Sequence, residues 1–571
     1  MFVKEVKKPN GAVSIRIVES VRRDNKIVQK TIRTLGQHKD PEEIEFIKKA
    51  AEALIVQIKN NRKPVLPSLD PADLHSVKTW KKKIAKTEDD SLSETHVSIA
   101  HIKEEARFND GIYDIFGSLY EQLNFGQLIT NTKQDDKWNQ TLEACVLARV
   151  AQPSSKMKTV SILEEQFNIK VDLDHVYRMM DHVHRLEDEI KNRVSQQTVS
   201  LFKGKVDVLL FDVTTLYFES TKKDELRNFG FSKDCKFNQT QVVLALMTTT
   251  DGTPMGYEVF PGNTSEGSTL IAVIEQMKTR FDLNHVVLVA DRAMFNKANL
   301  EKMESLNVKY VVAAKLRSLS KELKNKILDS RTFRAQDVCG ELHWVNEFTT
   351  IENRRLIVSY SSARAKKDKS DRERFLERLS KKEKDGKIKM TDVVNNHGTK
   401  KFVSLPNATA TINHDKIKND AMWDGLHGVI TNQNQDAAQV LLTRYRDLWK
   451  IEEAFRFNKH DLKLRPIYHW KAERIRAHLA ICYIAFALMS YAKMRLKENG
   501  LNISFEKLKE ELIKTQSSLI KDQSTQKRFS LPSKSSELQK QIYQAFGQKR
   551  TDTVKDSLKI QMCGPRNFIT Y

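Results

Sequence analysis

Residues that mark special chain classes are scarce. Nineteen glycines and 12 prolines in 571 residues exclude a collagen-like or low-complexity chain. The five cysteines, Cys145, Cys235, Cys339, Cys482 and Cys563, are scattered, and none forms a C-x-x-C pair. An odd, dispersed set excludes a disulfide framework and a cysteine-rich zinc site, and is expected of reduced thiols in the cytoplasm. The longest apolar run, Leu479–Ala492, has fourteen residues. It is too short to span a bilayer and suits a buried core helix, so no membrane partner is expected. Met1–Asn10 is charged and lacks an apolar stretch, so no secretory signal is expected there.

Charge is abundant. Lys+Arg number 96 against 74 Asp+Glu, a formal net charge of +22. Such an excess attracts polyanions, nucleic acid foremost; the alternative is a soluble protein with many surface lysines. A hydrophobic share of 40% excludes wholesale disorder. At ordinary domain sizes the length suits about three or four domains.

The patterning divides the chain. Ser14–Ser20 and Ile27–Leu35 alternate in polarity and predict a β-hairpin, followed by a helix from Pro41 and a proline-containing linker, over 1–75. Helical periodicity dominates 76–204. Basic residues at its helix ends (Arg149, Lys156, Lys158, Arg178, Arg185) suit either a helix-turn-helix-like DNA-binding unit or an ordinary bundle. From Val206 the texture changes. Strands at Val206–Phe218, Gln241–Thr248 and Pro254–Phe260 form a meander. Strands at His285–Ala290 and Tyr310–Ala314 then alternate with helices. This order predicts an α/β fold with an RNase H-like mixed sheet over 205–316 and 431–475. Strand-like pieces and a charged run make 317–430 a β-rich insertion, and 476–571 is expected to be a helical C-terminal region.

Three acids stand out. Asp212 lies inside the apolar run Leu209–Val213, where a carboxylate is costly unless it is used or bonded to local backbone. Asp291 ends the run Val286–Ala290, where α/β sheets place their sites; capping of the next helix is the alternative. Glu452 sits in Tyr445–Lys459. Tyr445, Glu452 and Lys459 recur every seven residues and Arg456 follows Glu452 by four, so on one continuous helix all four share a stripe. An amphipathic helix with internal ion pairs would show the same spacing. Acids converging from separate elements are what two-metal phosphoryl chemistry requires, because Mg²⁺ takes oxygen ligands and keeps several waters.

The same segment resembles the Y-x₂-R-x₃-E-x₆-K signature of the insertion-sequence-four type of DDE transposases of bacterial insertion sequences. Tyr445, Glu452 and Lys459 match; Leu448 occupies the arginine position, leaving Arg444, Arg446 or Arg456 to supply that charge. The likeness continues in Phe211–Thr215, in Val289–Arg292 and in Trp423–Gly428, and covers roughly 205–475. The acids are separated by 79 and then 161 positions, and the wide second gap resembles the family's β-rich insertion.

The resemblance implies a cut-and-paste DNA transposase that binds terminal inverted repeats as a homodimer in a synaptic complex. It implies two Mg²⁺ ions, with Mn²⁺ able to substitute, held by Asp212, Asp291 and Glu452 as the catalytic residues. Tyr445, Lys459, Arg456 and Arg292 are the expected DNA contacts, and the bacterial cytoplasm, at the nucleoid, the expected place of action. The apolar Leu479–Ala492 segment is the expected dimerisation surface. An RNase H-like nuclease that cuts without joining, an inactive DNA-binding relative and a basic scaffold protein are the other readings.

Overall fold

The amino-terminal strands alternate well enough to form a sheet of their own. In the computed structural model, β1 (Phe2–Lys7), β2 (Val13–Arg23) and β3 (Lys26–His38) make an antiparallel sheet in the order β1-β2-β3. Ile15 and Ile17 are fully buried, as period-two alternation requires, and Val18 is buried beside them where the β2–β3 register shifts between Ile17 and Val18. The expected hairpin is therefore present and is joined by β1. The structure describes residues 2–8, 13–23, 26–38, 44, 99–130, 134–202, 206–230, 238–280, 286–291, 296–350, 352–384, 403–404, 411–550 and 552–556. The expected linker at 61–75 and nearly all of the helix from Pro41 lie outside them. The chain divides into two units, Met1–Val97 and Ser98–Tyr571.

In the second unit, β4 (Ile102–Asn109) and a short helix at Ser118–Gln122 precede the longer helices α1 (Asp135–Ala151), α2 (Lys156–Phe167), α3 (Leu173–Val183) and α4 (Glu187–Leu201). The sheet that follows has strands β5 (Val208–Tyr217), β6 (Gln241–Thr249), β7 (Pro254–Pro261), β8 (Val287–Ala290) and β9 (Lys309–Ala313). Their spatial order is β7-β6-β5-β8-β9. The first three are an antiparallel meander, and β8 and β9 run parallel to β5. This is the predicted RNase H-like order. Residues of β5 and β6 are buried on both faces, which is why they are near-continuous apolar runs rather than alternating ones. The β6–β7 turn depends on Gly252, whose φ of 78° lies where a side chain is strained.

Beyond β9 the sheet continues through β10 (Arg334–Val338), β11 (Glu341–Thr349) and β12 (Arg355–Tyr360). The helix α5 (Ser362–Lys384), the ribbon β13 (Val403–Ser404) with β14 (Thr411–Ile412), and β15 (Leu426–Thr431) follow. The β15 strand pairs with both β9 and β12, so the insertion extends the same nine-stranded sheet instead of standing apart. Arg372 of α5 is buried against Asp424 and lies 3.6 Å from Asp420, which ties the charged helix to the sheet.

Next come α6 (Ala438–Arg446), α7 (Trp449–His460) and α8 (Ala472–Glu498). The α8 helix carries Leu479–Ala492 and is long and apolar enough to cross a membrane, but 89% of that stretch is buried inside the unit. It is the axis of a core with α1, α3 and α4. The apolar segment is spent on this core, which removes the basis for assigning it to a dimer contact. Arg149 and Lys156 are 4% and 5% exposed. The expected cationic helix ends at these two positions face inward, so they offer no surface to a DNA phosphate.

The expected helical C-terminus is corrected as well. Strands β16 (Gln516–Asp522), β17 (Arg528–Pro532) and β18 (Lys555–Asp556) pair in the order β18-β17-β16-β4, so the sheet recruits a strand from the region expected to be helical. Helices α9 (Phe505–Lys514) and α10 (Glu537–Ala545) accompany it. Asn109 closes the module by donating to the carbonyls of Leu512 and Ile513 at 2.9 and 2.7 Å. Partners some 400 positions apart leave no local periodic signal in either segment.

Candidate active site

The register of β5 and β8 places the first two acids. The paired register ends at Phe211 with Ala290, and the next residues are Asp212 on β5 and Asp291 just past β8. Adjacent strands lie about 4.8 Å apart, so these two aspartates stand side by side at the carboxyl end of β8. Asp212 is half-buried and Asp291 exposed. One oxygen of Asp212 accepts the Val213 N–H at 2.7 Å, which fixes the carboxylate against its own strand.

Both aspartates belong to one face of the sheet. Asp212 lies opposite Leu246 of β6, and Leu246 lines a small cavity together with Phe455 and Asn458 of α7. Along β8, Val287 and Val289 pack in the core that contains Ile451 and Phe455, whereas Leu288 and Ala290 face the other core. Alternation therefore assigns Asp291 to the α7 face too. The opposite face is closed by the helices Glu266–Arg280 and Lys297–Ser305, through residues such as Leu270, Ile274 and Met303.

Glu452 arrives from above. Ile451, Ala454, Phe455 and Asn458 are the buried residues of α7. At 100° per residue Glu452 lies about 110° from the middle of that face, so it stands exposed on the flank of the helix. Glu453 and Arg456 point farther away and are exposed; Lys459 is half-buried. The three acids thus come to one side of the sheet. They are not gathered into a closed ligand set: among the described residues no three His, Cys, Asp or Glu side chains stand close enough together to hold a metal ion. Anchoring of α7 through its apolar face is what holds Glu452 outward.

The single stripe expected through Tyr445 is corrected. Tyr445 is on α6, and the chain turns at Asp447 and Leu448 before α7 begins. The turn uses i→i+3 bonds, Leu448 N–H to Tyr445 C=O and Ile451 N–H to Leu448 C=O, both 3.1 Å. Tighter winding there breaks the 3.6-residue phase on which the spacing argument relied. The Tyr445 ring packs at 4.9 Å from His427 of β15. Burial, and then the charges of Arg364 and His343, push the His427 pKa down to about 4, so its ring is neutral at physiological pH. This partner was not singled out in the sequence, although it belongs to the Trp423–Gly428 segment that carries the resemblance.

The structure also discriminates among the candidate cations. Leu448 is 7% exposed and part of the main core. Arg444 pairs with Asp436, and Arg446 pairs with Glu341 at 3.0 Å. Arg456 is exposed on α7. Arg292 lies outside the described residues. Farther along β5, Arg465 covers the Tyr217 ring at 5.0 Å, and Arg227 lies between Phe218 and Trp470 at 5.7 and 5.2 Å. These cation–aromatic contacts were not foreseen from sequence.

Residues 203–488 match the model of the transposase DDE domain, which is half of the chain. Residues 3–64 match the N-terminal domain of the IS1634 family of transposases. No curated protein matches the chain. Among solved structures, the chain is similar to the piggyBac transposase synaptic complex with hairpin DNA. The identity is 9%, the TM-score 0.34, and 70% of this chain and 76% of that chain are covered. It is also similar to the Mos1 transposase paired-end complex with the left transposon end, at 14% identity and a TM-score of 0.14, over 46% of this chain and 71% of that one. For the Mos1 strand transfer complex the values are 15% and 0.14, over 47% and 73%.

Proposed function

Because the chain belongs to the DDE transposases of bacterial insertion sequences, we propose that it cuts the ends of its own element and joins the freed 3′-hydroxyls to target DNA, using Asp212, Asp291 and Glu452. The observation that carries this reading is the pair of aspartates on adjacent strands, Asp212 within β5 and Asp291 at the end of β8, on the sheet face that packs against the helix bearing Glu452. The donor set is all carboxylate oxygen, which suits a hard divalent cation such as Mg²⁺, with Mn²⁺ as a substitute. Two such ions, when bound, activate the attacking water or 3′-hydroxyl and offset charge on the leaving oxygen.

The protein's own groups do the rest. Asp212 and Asp291 would supply ligands from a rigid sheet, and Glu452 would supply one from a helix flank. Tyr445, held by the neutral His427 ring, Lys459, Arg456 and Arg292 are the proposed contacts to DNA phosphates near the cut. The net charge of +22 suits a protein that grips several duplex segments at once. We place it in the bacterial cytoplasm, as a homodimer that pairs two element ends.

The test is an assay on DNA carrying the element ends and a supercoiled target, with Mg²⁺ or Mn²⁺. Cleaved ends and joined product are expected from the wild type. Asp212→Asn and Asp291→Asn are expected to abolish both while still binding end DNA. Cleavage without joined product would leave a nuclease, and cleavage that survives Asp212→Asn would remove the assigned site.

A further inference from the structure

The turn that ends α7 is held from the helical bundle. The helix stops at His460, and the N–H groups of Leu462 and Leu464 close the turn on the carbonyls of Phe457 and Asn458 at 3.1 and 2.9 Å. Lys463, between them, has a φ of 44°, a left-handed backbone that a residue with a side chain adopts only at a cost. Such a turn persists where its surroundings fix it. Two buried side chains from the bundle do so. Arg149 of α1 donates through Nη1 to the Leu462 carbonyl at 3.4 Å, and His478 of α8 donates through Nε2 to the Leu464 carbonyl at 3.3 Å.

A buried guanidinium needs a counter-charge. Cys145, Lys156, His469 and His478 feel the charge of Arg149, and none of them is a carboxylate. Burial pushes the Cys145 thiol up, so it stays protonated. Burial, and then the charges of Lys156 and other cations, push His469 down to about 3 and His478 well below its usual range, so both rings are neutral. The negative charge that Arg149 meets is therefore that of helix ends. It sits in the last turn of α1 and reaches the turn that ends α7, where the carbonyl ends of two helix dipoles meet. This gives a buried arginine a reason to lie where it does.

We propose that Arg149 is a positioning residue for the reaction: it fixes the C-terminal turn of α7 and thereby the direction in which Lys459 meets a DNA phosphate. Lys459 lies in that last helical turn, next to the buried Asn458 whose carbonyl closes it. The proposal rests on the DNA contact assigned to Lys459 above. Arg149 itself stays in the core and touches no DNA. Lys156 is the internal control. It is a second buried cation beside Arg149, on α2, and among the described residues no hydrogen bond joins it to the α7 turn.

The experiment measures binding of the full chain to DNA carrying the element end across a series of salt concentrations, with a melting temperature for each protein. A lysine on a phosphate displaces about one counterion, so Lys459→Ala is expected to make the slope of log K against log salt shallower by about 0.9. Arg149→Met is expected to make it shallower by the same amount, and the double variant by no more than Lys459→Ala alone, because the first residue acts through the second. Arg149→Lys keeps the charge on a shorter, unforked side chain and is expected to lie between, so the test stands if Arg149→Met does not fold. Lys156→Met is expected to keep the wild-type slope. End cleavage is expected to fall about 10- to 100-fold in Arg149→Met, the usual worth of an outer positioning contact. A wild-type slope in every folded Arg149 variant, whatever its melting temperature, makes Arg149 a structural residue only and overturns the proposal. Additive losses in the double variant, or the same shallower slope in Lys156→Met, overturn it too. An unchanged slope in Lys459→Ala would instead remove the DNA contact of Lys459, and the proposal with it.

Discussion

Leu448 occupies the place where the family signature carries arginine, so Leu448→Arg is the substitution a motif-led argument would make to raise activity. The structure leads to the opposite expectation. Leu448 is 7% exposed, packs in the main core and forms the turn that joins α6 to α7. Removing a buried leucine side chain forfeits about 1.5–3 kcal/mol of burial. The arginine stem recovers part of this by lying along the surface with its guanidinium in water. A net cost of about 2 kcal/mol corresponds to roughly 30-fold more frequent local opening. Hydrogen exchange of the α6 and α7 amides is the direct assay and should quicken by about that factor. Cleavage should fall, because α7 carries Glu452. Leu448→Met, which conserves volume, should cost less than about 1.5 kcal/mol and leave cleavage near wild type. Unchanged protection of α6 and α7 in Leu448→Arg, together with faster cleavage, would refute the assignment of Leu448 to the core.

Three further outcomes are expected. Burial, and then the charge of Glu121, raise the Glu143 pKa to about 7. The folded state therefore holds this proton more tightly than the unfolded chain does, and stability falls as pH rises from about 4.5 to 7. Glu143→Gln should raise the melting temperature at pH 8 but not at pH 4; a pH-independent effect would contradict this. Lys191 is buried between Glu258 at 2.9 Å, Asp188 at 3.0 Å and Glu187 at 3.6 Å. Lys191→Met removes the buried cation between Glu258 and Glu187, of which Glu187 keeps Arg476 at 3.2 Å, and should cost about 3–5 kcal/mol in denaturant titrations, with partial recovery on adding Glu258→Gln. The His427 ring should titrate near pH 4 by NMR, its protonation weakening the fold as pH drops from about 6.5 towards 4. An ordinary value near 6.5 would show that the ring is not held as described.

Local pattern carried a large part of this protein. Strands β5 to β9 were legible because each is a short apolar run bounded by turn residues, and their alternation with helices already implied the mixed sheet. Asp212 stood out because a carboxylate inside such a run is expensive unless it is used or bonded locally, and it does accept the Val213 N–H; Asp291, at the end of β8, is exposed. What local pattern could not carry was anything set by contact between distant segments. The β4–β16 pairing, the inward turn of Arg149 and Lys156, and the use of Leu479–Ala492 as a core axis each depend on what packs alongside. The phase slip at Asp447 and Leu448 depends on packing as well, since the helical period holds only while the backbone keeps i→i+4 bonds. By itself, then, the sequence determined which residues had to be buried and which buried acids needed a purpose, since both follow from the cost of moving side chains out of water. The tertiary structure alone decided which acids stand together, which cations are already paired and which aromatics stay exposed, because neighbours in space are chosen by packing across the whole chain.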